Sequence, residues 1–392
     1  MSKGMNKDLA VAELKSGWNT LTVKARKDLI YSLLGHRLSL LTIAQLTGQS
    51  IEDVKSAYKG EDTSAKVFIP TAAPLPEGLD PEAVSPKITE VSPVKAIYGL
   101  HSFDEILAKY REWIGWYEHT NESGVGPNED DYLYGLIISD IHAPFHDEQR
   151  FAKMIAQTRA KVDVCILGGD GPDFHNYSKY MKYGQHFTPQ QEHKAFLAVL
   201  AMLSEAYPEV IMIPGNHDER TRKKYAGMLP PDMYQAVLDF HGPNAFDFAE
   251  LMARQFENVI IPDMPKNGFA EYRFVYQIFD IIIGHPEVFS KIANKSVAAF
   301  IDWLMKKAIP MGLVHGPISA VVMGHTHQAG KTWNDYGIVG LENGCLCETP
   351  DYDAQPKLTG APRPVVHGYT LFKTNKLTGN TSHNDIQFVE LE

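Results

Sequence analysis

The sequence predicts an α/β fold for most of the chain, with a small all-α module at the N-terminus. From residue 132 onward, short runs of Val, Ile and Leu recur, and most of them end at glycine, a pattern typical of buried strands. Helical periodicity separates several of these runs, most clearly over 188–206 and 293–307. Because strand-like and helical segments alternate, we expect sheets with helices packed against them.

The composition excludes several classes of protein. The chain has 392 residues, of which 44 % are hydrophobic and 22 % charged, so collagen-like, coiled-coil and wholly disordered proteins are excluded. Its three cysteines are too few for a disulfide framework and indicate a reducing compartment. The sequence contains no run of about 18 apolar residues and no apolar signal core. We therefore expect a cytoplasmic protein that makes no use of a membrane.

Residues 1–62 predict a small helical module. Helices are expected over 22–34, around 41–47 and from about 50 to 58, with a tight turn at Gly48, and this arrangement resembles a helix-turn-helix. The first 60 residues hold nine Lys and Arg against five Asp and Glu, whereas the rest of the chain holds 28 against 43. A basic module on an acidic body suits binding to DNA, but a three-helix module for protein contacts remains an alternative.

A proline-rich stretch separates this module from the rest of the chain. Six prolines between residues 67 and 95 remove backbone donors and fix φ, so residues 63–98 are predicted to be an extended linker. Residues 99–392 form the second predicted domain. It begins with a helix that Ser102 and Glu105 cap, its catalytic core spans 132–345, and its last strands are expected near 337–341, 368–373 and 386–391.

Five polar clusters each follow a strand-like run. Because the carboxyl ends of such strands border one crevice in an α/β sheet, the clusters are expected to converge. Their side chains are carboxylates, imidazoles and one amide, which are donors that suit divalent metal ions. Within Asp140-Ile-His142 and His325-Thr-His327, we expect an extended backbone to direct both outer side chains to one site. The clusters are Asp140 with His142, Asp170 with Asp173, Asn216 with His217 and Asp218, His285, and His325 with His327.

This ordered set of motifs resembles the calcineurin-like metallophosphoesterase superfamily, whose pattern is DxH, GDxxD, GNH(D/E), GH and GHxH. The resemblance covers about 132–345 and implies a four-layer αββα fold, a β-sandwich flanked by helices. It implies that a hydroxide bridging two metal ions attacks phosphorus, that His217 protonates the leaving oxygen, and that Asp173 partners His217. It implies one ion held by Asp140, His142, Asp170 and His327, and a second held by Asp170, Asn216, His285 and His325, with Asp170 as the bridge.

The chain departs from the family pattern after the second motif. Protein phosphatases of the superfamily carry an arginine after GDxxD that binds phosphate, but Phe174 stands here. Arg220, in the basic run that follows GNHD, is the alternative phosphate-binding residue, although a solvated helix face explains that run equally well. Asp218 in GNHD either belongs to the site or caps the helix that follows, and the sequence leaves both interpretations open. The DFxxYSK run resembles phosphoesterases often found in phage genomes, and a phage origin would place the protein in the host cytoplasm.

These observations predict a phosphoesterase that uses two divalent ions, with Mn²⁺ ahead of Zn²⁺, iron and Ni²⁺. The basic N-terminal module, together with the aromatic residues and lysines after Asp173, favours a phosphodiesterase or nuclease acting on DNA or RNA. The excess of Asp and Glu in the rest of the chain and the Asp173–His217 pair favour the alternative, a phosphomonoesterase acting on protein or nucleotides. A non-catalytic binding module would have lost metal ligands, and all seven are present. Cys345 and Cys347 form a lone CxC, which is insufficient for a zinc knuckle.

Overall fold

The strands that follow residue 131 form two mixed sheets. The computed structural model describes residues 102–120, 131–178, 187–242, 244–262, 274–287, 290, 292, 294–348 and 365–392. The predicted helical module 1–62 and linker 63–98 lie outside these residues and stay predictions. In the part of the chain described, no helix is both long and apolar enough to span a bilayer.

The first sheet has the strand order β11-β10-β1-β2-β3-β4. β1 to β4 run parallel, and the C-terminal strands β10 and β11 complete the sheet in antiparallel pairing beside β1. The expected C-terminal strands are therefore part of the same domain. The strands are β1 (Tyr132–Ile138), β2 (Val164–Gly168), β3 (Glu209–Ile213), β4 (Val259–Ile260), β10 (Gly368–Asn375) and β11 (Thr381–Glu390).

The second sheet has the order β5-β6-β7-β9-β8. β6, β7 and β9 are parallel at its centre, and β5 and β8 pair antiparallel at its two edges. Adjacent parallel strands pair in register from end to end. The carboxyl ends of β6 and β7 therefore lie at one edge of the sheet. The strands are β5 (Val275–Ile278), β6 (Ile281–Gly284), β7 (Ala320–Met323), β8 (Ala329–Trp333) and β9 (Val339–Asn343).

Alternating residues of the central strands divide between two hydrophobic layers. In β6, Ile281 and Ile283 pack against the first sheet, in a cluster that includes Ile137 and Ile166. Ile282, between them, faces the opposite way, into a cluster formed with the helix α7. This two-residue period explains why strands buried on both faces read as continuous apolar runs.

Helices cover both outer faces. On the first sheet, α3 packs against β3, and α1 packs against α2 and α3. On the second sheet, α7 contributes Val297, Phe300 and Ile301. The predicted four-layer αββα architecture is confirmed. The helices are α1 (Phe103–Thr120), α2 (Glu148–Thr158), α3 (Pro189–Ala206), α4 (Arg220–Met228), α5 (Pro231–His241), α6 (Phe248–Ala253) and α7 (Lys295–Trp303).

Capping side chains set the first turns of two helices. At α1, the amide of Glu105 donates to Ser102 Oγ (3.3 Å), and the amide of Ser102 donates to Glu105 Oε2 (2.6 Å), as the sequence predicted. At α3, Thr188 and Gln191 form the same reciprocal pair, and Pro189 occupies the first helical position. Such pairs satisfy amide groups that have no partner within the helix.

A buried carboxylate ties the two sheets together at the edge opposite the metal-binding motifs. Asp280, in the turn between β5 and β6, is 3 % exposed. Its Oδ2 accepts from Ser319 Oγ (2.5 Å) and from the amide of Thr381 (2.9 Å), and its Oδ1 accepts from Thr381 Oγ1 (2.6 Å). Ser319 precedes β7 in the second sheet, whereas Thr381 begins β11 in the first.

We expect Asp280→Ala to lower the free energy of unfolding by about 2–4 kcal/mol, because three donors would lose a charged acceptor inside the protein. Chemical denaturation measures this difference. The matched control is Asp335→Ala, which removes an exposed carboxylate and should change stability by less than about 0.5 kcal/mol. An equal, small effect of both substitutions would show that Asp280 does not join the sheets.

Candidate metal centre

The strands of both sheets deliver polar side chains to one edge. Asp140 follows β1, Asp170 follows β2 and Asn216 follows β3, all in the first sheet. His285 follows β6 and His325 follows β7, both in the second sheet. The predicted convergence at strand carboxyl ends is therefore what the structure shows, and it joins the edges of two facing sheets.

The backbone is left-handed at the outer residues of Asp140-Ile-His142 and of His325-Thr-His327. The expectation that these two elements are extended is therefore wrong. Asp140 and His142 have φ of 53° and 52°, and His325 and His327 have φ of 80° and 55°. Such a conformation costs about 1–2 kcal/mol per non-glycine residue. Hydrogen bonds between loops hold it: the amide of Asp140 donates to Gly169 O, and that of His142 donates to Asp170 O, both at 3.0 Å.

One group of donor atoms surrounds Nε2 of His142. This atom lies 3.1 Å from Nε2 of His327 and 3.8 Å from both Asp140 Oδ1 and Asp170 Oδ2. Nε2 of His327 lies 3.4 Å from Asp140 Oδ1. These are the four side chains that the family resemblance assigns to one ion.

A second group adjoins the first through Asp170. Its Oδ2 lies 3.1 Å from Nε2 of His285, and Oδ1 of Asn216 lies 3.0 Å from Nδ1 of His325. Donor atoms of Asp170, His285 and His325 all lie within 4.8 Å of one another. Because Asp170 Oδ2 faces both His142 and His285, one carboxylate oxygen borders both groups.

Hydrogen bonds fix which ring nitrogens face the centre. Nδ1 of His285 donates to the carbonyl of Gly168 at 2.9 Å, and Nδ1 of His142 donates to Asp173 Oδ1 at 3.1 Å, since these oxygens only accept. In both rings the lone pair is therefore on Nε2, which is the arrangement of metal-ligating histidines. Nε2 of His285 is buried without a hydrogen-bond partner among the described residues. The donor set thus fits divalent cations.

Charge balance supports this assignment. Burial alone would raise the pKa of Asp170, but the electrostatic interactions with the imidazoles of His217 and His285 outweigh it and lower that pKa well below its ordinary value. Burial would likewise lower the pKa of His142, but Asp140 and Asp173 raise it to about 10. The buried carboxylates therefore demand positive charge around them, and divalent cations in place of protons would supply it.

His217 lies beside this centre in contact with Asp173 and Arg220. Its Nδ1 donates to Asp173 Oδ1 (2.8 Å), and the Arg220 guanidinium donates to its Nε2 (2.7 Å). Arg220 also donates to the carbonyl of Asp173 (2.7 Å) and to Asp173 Oδ2 (3.2 Å). Since a guanidinium cannot accept, Nε2 of His217 is the unprotonated nitrogen in this arrangement.

The surroundings of His217 oppose a positive charge on its ring. A carboxylate partner on its own would favour the charged imidazole. Burial, together with the positive charges of Arg220 and His142, instead lowers the pKa of His217 to about 4 despite the attraction of Asp170 and Asp173. The imidazole is therefore neutral at pH 7 unless a further negative group approaches it.

Asp218 has a role that the sequence did not reveal. It does not cap α4, whose N-cap is Glu219 without a side-chain capping bond. Instead, its Oδ2 accepts from the amides of Gly215 (2.7 Å) and Asp170 (2.9 Å). Burial and the charge of Asp170 raise the pKa of Asp218 to about 8. A Cβ at Gly215 would lie 2.2 Å from Asp170 Oδ1, which explains the glycine of this motif.

Cys347 is also closer to the centre than its CxC motif suggested. Its Sγ lies 3.8 Å from Nδ1 of His327, the ring nitrogen that does not face His142. Burial raises the pKa of the Cys347 thiol well above its ordinary value, so the group is neutral. Contact between residues 20 positions apart has no signature in the sequence, so only the fold could show it.

Comparisons with known proteins give one family match. Residues 136–329 match the family model of the calcineurin-like phosphoesterases. A sequence search of curated proteins gave no significant match.

Solved structures similar to this chain include three of low sequence identity. A Thermotoga maritima protein is 14 % identical over 66 % of this chain and 99 % of its own, with a TM-score of 0.28. A Streptococcus pneumoniae protein described as a predicted phosphoesterase is 12 % identical over 66 % and 98 %, with a TM-score of 0.25. A dimetal phosphatase from Danio rerio is 13 % identical over 61 % and 91 %, with a TM-score of 0.30.

The family match includes every donor of the two groups, from Asp140 to His327. Residues 136–329 are therefore similar to the calcineurin-like phosphoesterases, and the protein is a metal-dependent phosphoesterase.

Proposed function

We propose that this domain hydrolyses phosphodiesters and that its substrate is a nucleic acid, DNA or RNA. The observation that carries the proposal is the position of Arg220. Its guanidinium contacts His217 at the metal centre, and it begins α4, which presents four basic and no acidic side chains between residues 220 and 228. A basic helix that starts at the reacting group suits a substrate with several phosphates.

The metal ligands have defined tasks in this proposal. Asp140, His142, Asp170 and His327 would hold one divalent ion, and Asp170, Asn216, His285 and His325 would hold the other. When bound, the ions would neutralise phosphoryl charge and activate the attacking water. We propose Mn²⁺ first, because carboxylate oxygens suit this ion, with Zn²⁺, iron and Ni²⁺ as alternatives that imidazole ligands accept.

Arg220 and His217 would act on the substrate in sequence. The forked guanidinium suits bidentate binding of a phosphate, and that binding would draw it away from Nε2 of His217. The negative phosphate would also raise the pKa of His217 from about 4, so the ring could carry a proton to the leaving oxygen. Asp173, through its bond to Nδ1, would keep Nε2 directed at that oxygen.

Exposed groups on α4 would bind the phosphates and bases beyond the scissile bond. Lys223 and Lys224 are exposed, although Lys223 also pairs with Glu219 at 3.0 Å. The ring of Tyr225, one position later, lies 6.4 Å from that of Tyr177, and both rings are half-buried. Aromatic rings interleaved with lysines are typical of surfaces that bind single strands.

A phosphomonoesterase acting on protein or nucleotides is the second candidate. The Asp173–His217 hydrogen bond of 2.8 Å favours it, because a positioned proton donor assists the departure of poor leaving groups such as alcohols. The experiment that separates the candidates is a panel assay of the full chain with Mn²⁺. It compares a chromogenic monoester, a chromogenic diester, a phosphopeptide, and single- and double-stranded nucleic acid; preference for the monoester or phosphopeptide would reject our proposal.

The double variant Lys223→Glu/Lys224→Glu is expected to weaken binding of nucleic acid and to reduce the slope of log affinity against log salt by about one per lysine that contacts phosphate. Fluorescence anisotropy with a labelled strand measures both quantities. Lys306→Glu/Lys307→Glu, at two exposed lysines beside α7, is the control for net charge and should leave the slope unchanged. An equal loss in both variants would mean that α4 does not contact the strand.

A further inference from the structure

Helix α1 lies outside the residues that match the family and contacts the loop that carries His142. The match begins at residue 136, whereas α1 ends at Thr120. On α1, the hydroxyl of Tyr110 forms a 2.6 Å hydrogen bond with Nε2 of His146. Both side chains are fully enclosed, with exposures of 1 % and 0 %. This is a rigid polar contact between α1 and the loop that carries His142.

Backbone hydrogen bonds connect His146 to that metal ligand. The amide of Phe145 donates to His142 O at 2.7 Å, which closes a turn from His142 to Phe145, directly before His146. On its other side, the loop pairs with residues 346–348: the amide of Asp147 donates to Leu346 O, and that of Glu348 donates to Phe145 O, each at 2.9 Å. His146 itself is the bridge partner of Cys347.

The same pairing reaches a second ligand. Cys347 lies 3.8 Å from Nδ1 of His327, and the Nε2 atoms of His327 and His142 are 3.1 Å apart. Tyr110 therefore holds in place a loop that positions two imidazoles of one ion site, those of His142 and His327. The other ion site shares Asp170 with the first and takes its remaining ligands from the turns after β3, β6 and β7.

We infer that Tyr110 is a positioning residue for one of the two metal ions, the ion of His142 and His327, and that α1 is thereby a working part of the catalytic unit. The hydroxyl acts through His146. The position of His146 in turn determines where the two paired loop segments lie. Its ring also packs edge-to-face on Phe151 at 5.7 Å, so removal of the hydroxyl alone leaves the packing in place. The inference rests on the metal centre and is independent of the substrate class.

The test is Tyr110→Phe in the full chain. Calorimetric titration of the metal-stripped protein with Mn²⁺ should show one of two sites weakened by about tenfold, the lower end of the range for residues that support metal ligands. Excess Mn²⁺ should restore turnover of a chromogenic diester. His146→Leu should reproduce the weakening, and His146→Gln, which keeps a polar group near the position of Nε2, should recover part of the affinity.

Tyr207→Phe is the matched control. The Tyr207 hydroxyl makes a hydrogen bond of the same length, 2.6 Å, to Thr158, and Tyr207 is equally buried at 2 % exposure. This substitution should cost similar thermal stability without changing either metal site. Wild-type affinity at both sites in Tyr110→Phe and His146→Leu, or an equal loss at both sites, would overturn the inference. Because metal binding is measured directly, failure of the proposed nucleic-acid substrate would leave this result intact.

Discussion

Asp170→Asn is expected to remove the metal-binding capacity of both halves of the centre. Its Oδ2 lies 3.1 Å from Nε2 of His285 and 3.8 Å from Nε2 of His142, so it is the carboxylate oxygen that both groups share. Since supporting residues already change metal affinity by 10–100-fold, a shared ligand should cost more than about 100-fold. Metal content after gel filtration, together with Mn²⁺-dependent hydrolysis of a chromogenic diester, measures the loss.

The control for this substitution lies at the other end of the same strand. Asp163 precedes β2, as Asp170 follows it, and its Oδ2 accepts from the amide of Tyr134 at 3.0 Å. Asp163→Asn should keep both metals and full turnover. If Asp170→Asn retained two ions per chain, or if Asp163→Asn lost them, the assignment of the bridging ligand would have to be abandoned.

His217→Ala is expected to lower turnover by about 10²–10⁴-fold, the contribution of general acid–base catalysis, while both ions stay bound. The metal content of the variant should equal that of the wild type, because His217 is outside the proposed ligand set. The effect should depend on the leaving group: an alkyl ester, which needs a proton on its departing oxygen, should suffer far more than a nitrophenyl ester. Steady-state kinetics on the two esters measure this difference.

The same factor on both esters would contradict the role of His217 as proton donor and would indicate a role in binding. Asp173→Asn gives a distinct pattern, because Asp173 Oδ1 accepts from Nδ1 of both His217 (2.8 Å) and His142 (3.1 Å). We therefore expect Asp173→Asn to lower metal affinity as well as turnover, whereas His217→Ala should lower turnover alone.

The sequence was sufficient to predict the architecture and the convergence of the motifs. Apolar runs such as 281–284 are typical of a parallel strand that is buried on both faces. Each of the five clusters follows directly after such a run. Because strand ends of parallel sheets meet at one edge, the sequence positions of Asp140, Asp170 and His285 are enough to predict that these side chains lie together. These features depend on local pattern and on topology, both of which a sequence records.

The sequence did not predict features that depend on exact loop geometry. Left-handed backbone at Asp140 and His142 is a property of the hydrogen bonds between loops, which an i, i+2 spacing does not reveal. Asp218 stands where a helix cap is common, yet its carboxylate binds amides of two other loops. The pKa of His217 falls because of burial and of cations that approach from distant segments.

The division of the ligands between the two sheets has a consequence for the lifetime of the protein. Asp140, Asp170 and Asn216 extend from one sheet, and His285, His325 and His327 extend from the other, so each ion held by the proposed ligands would cross-link the two layers. At a free ion concentration 100 times the dissociation constant, each ion would add about 2.7 kcal/mol to the free energy of unfolding. The metal supply would thus set how long a molecule survives proteases, as well as whether it is active.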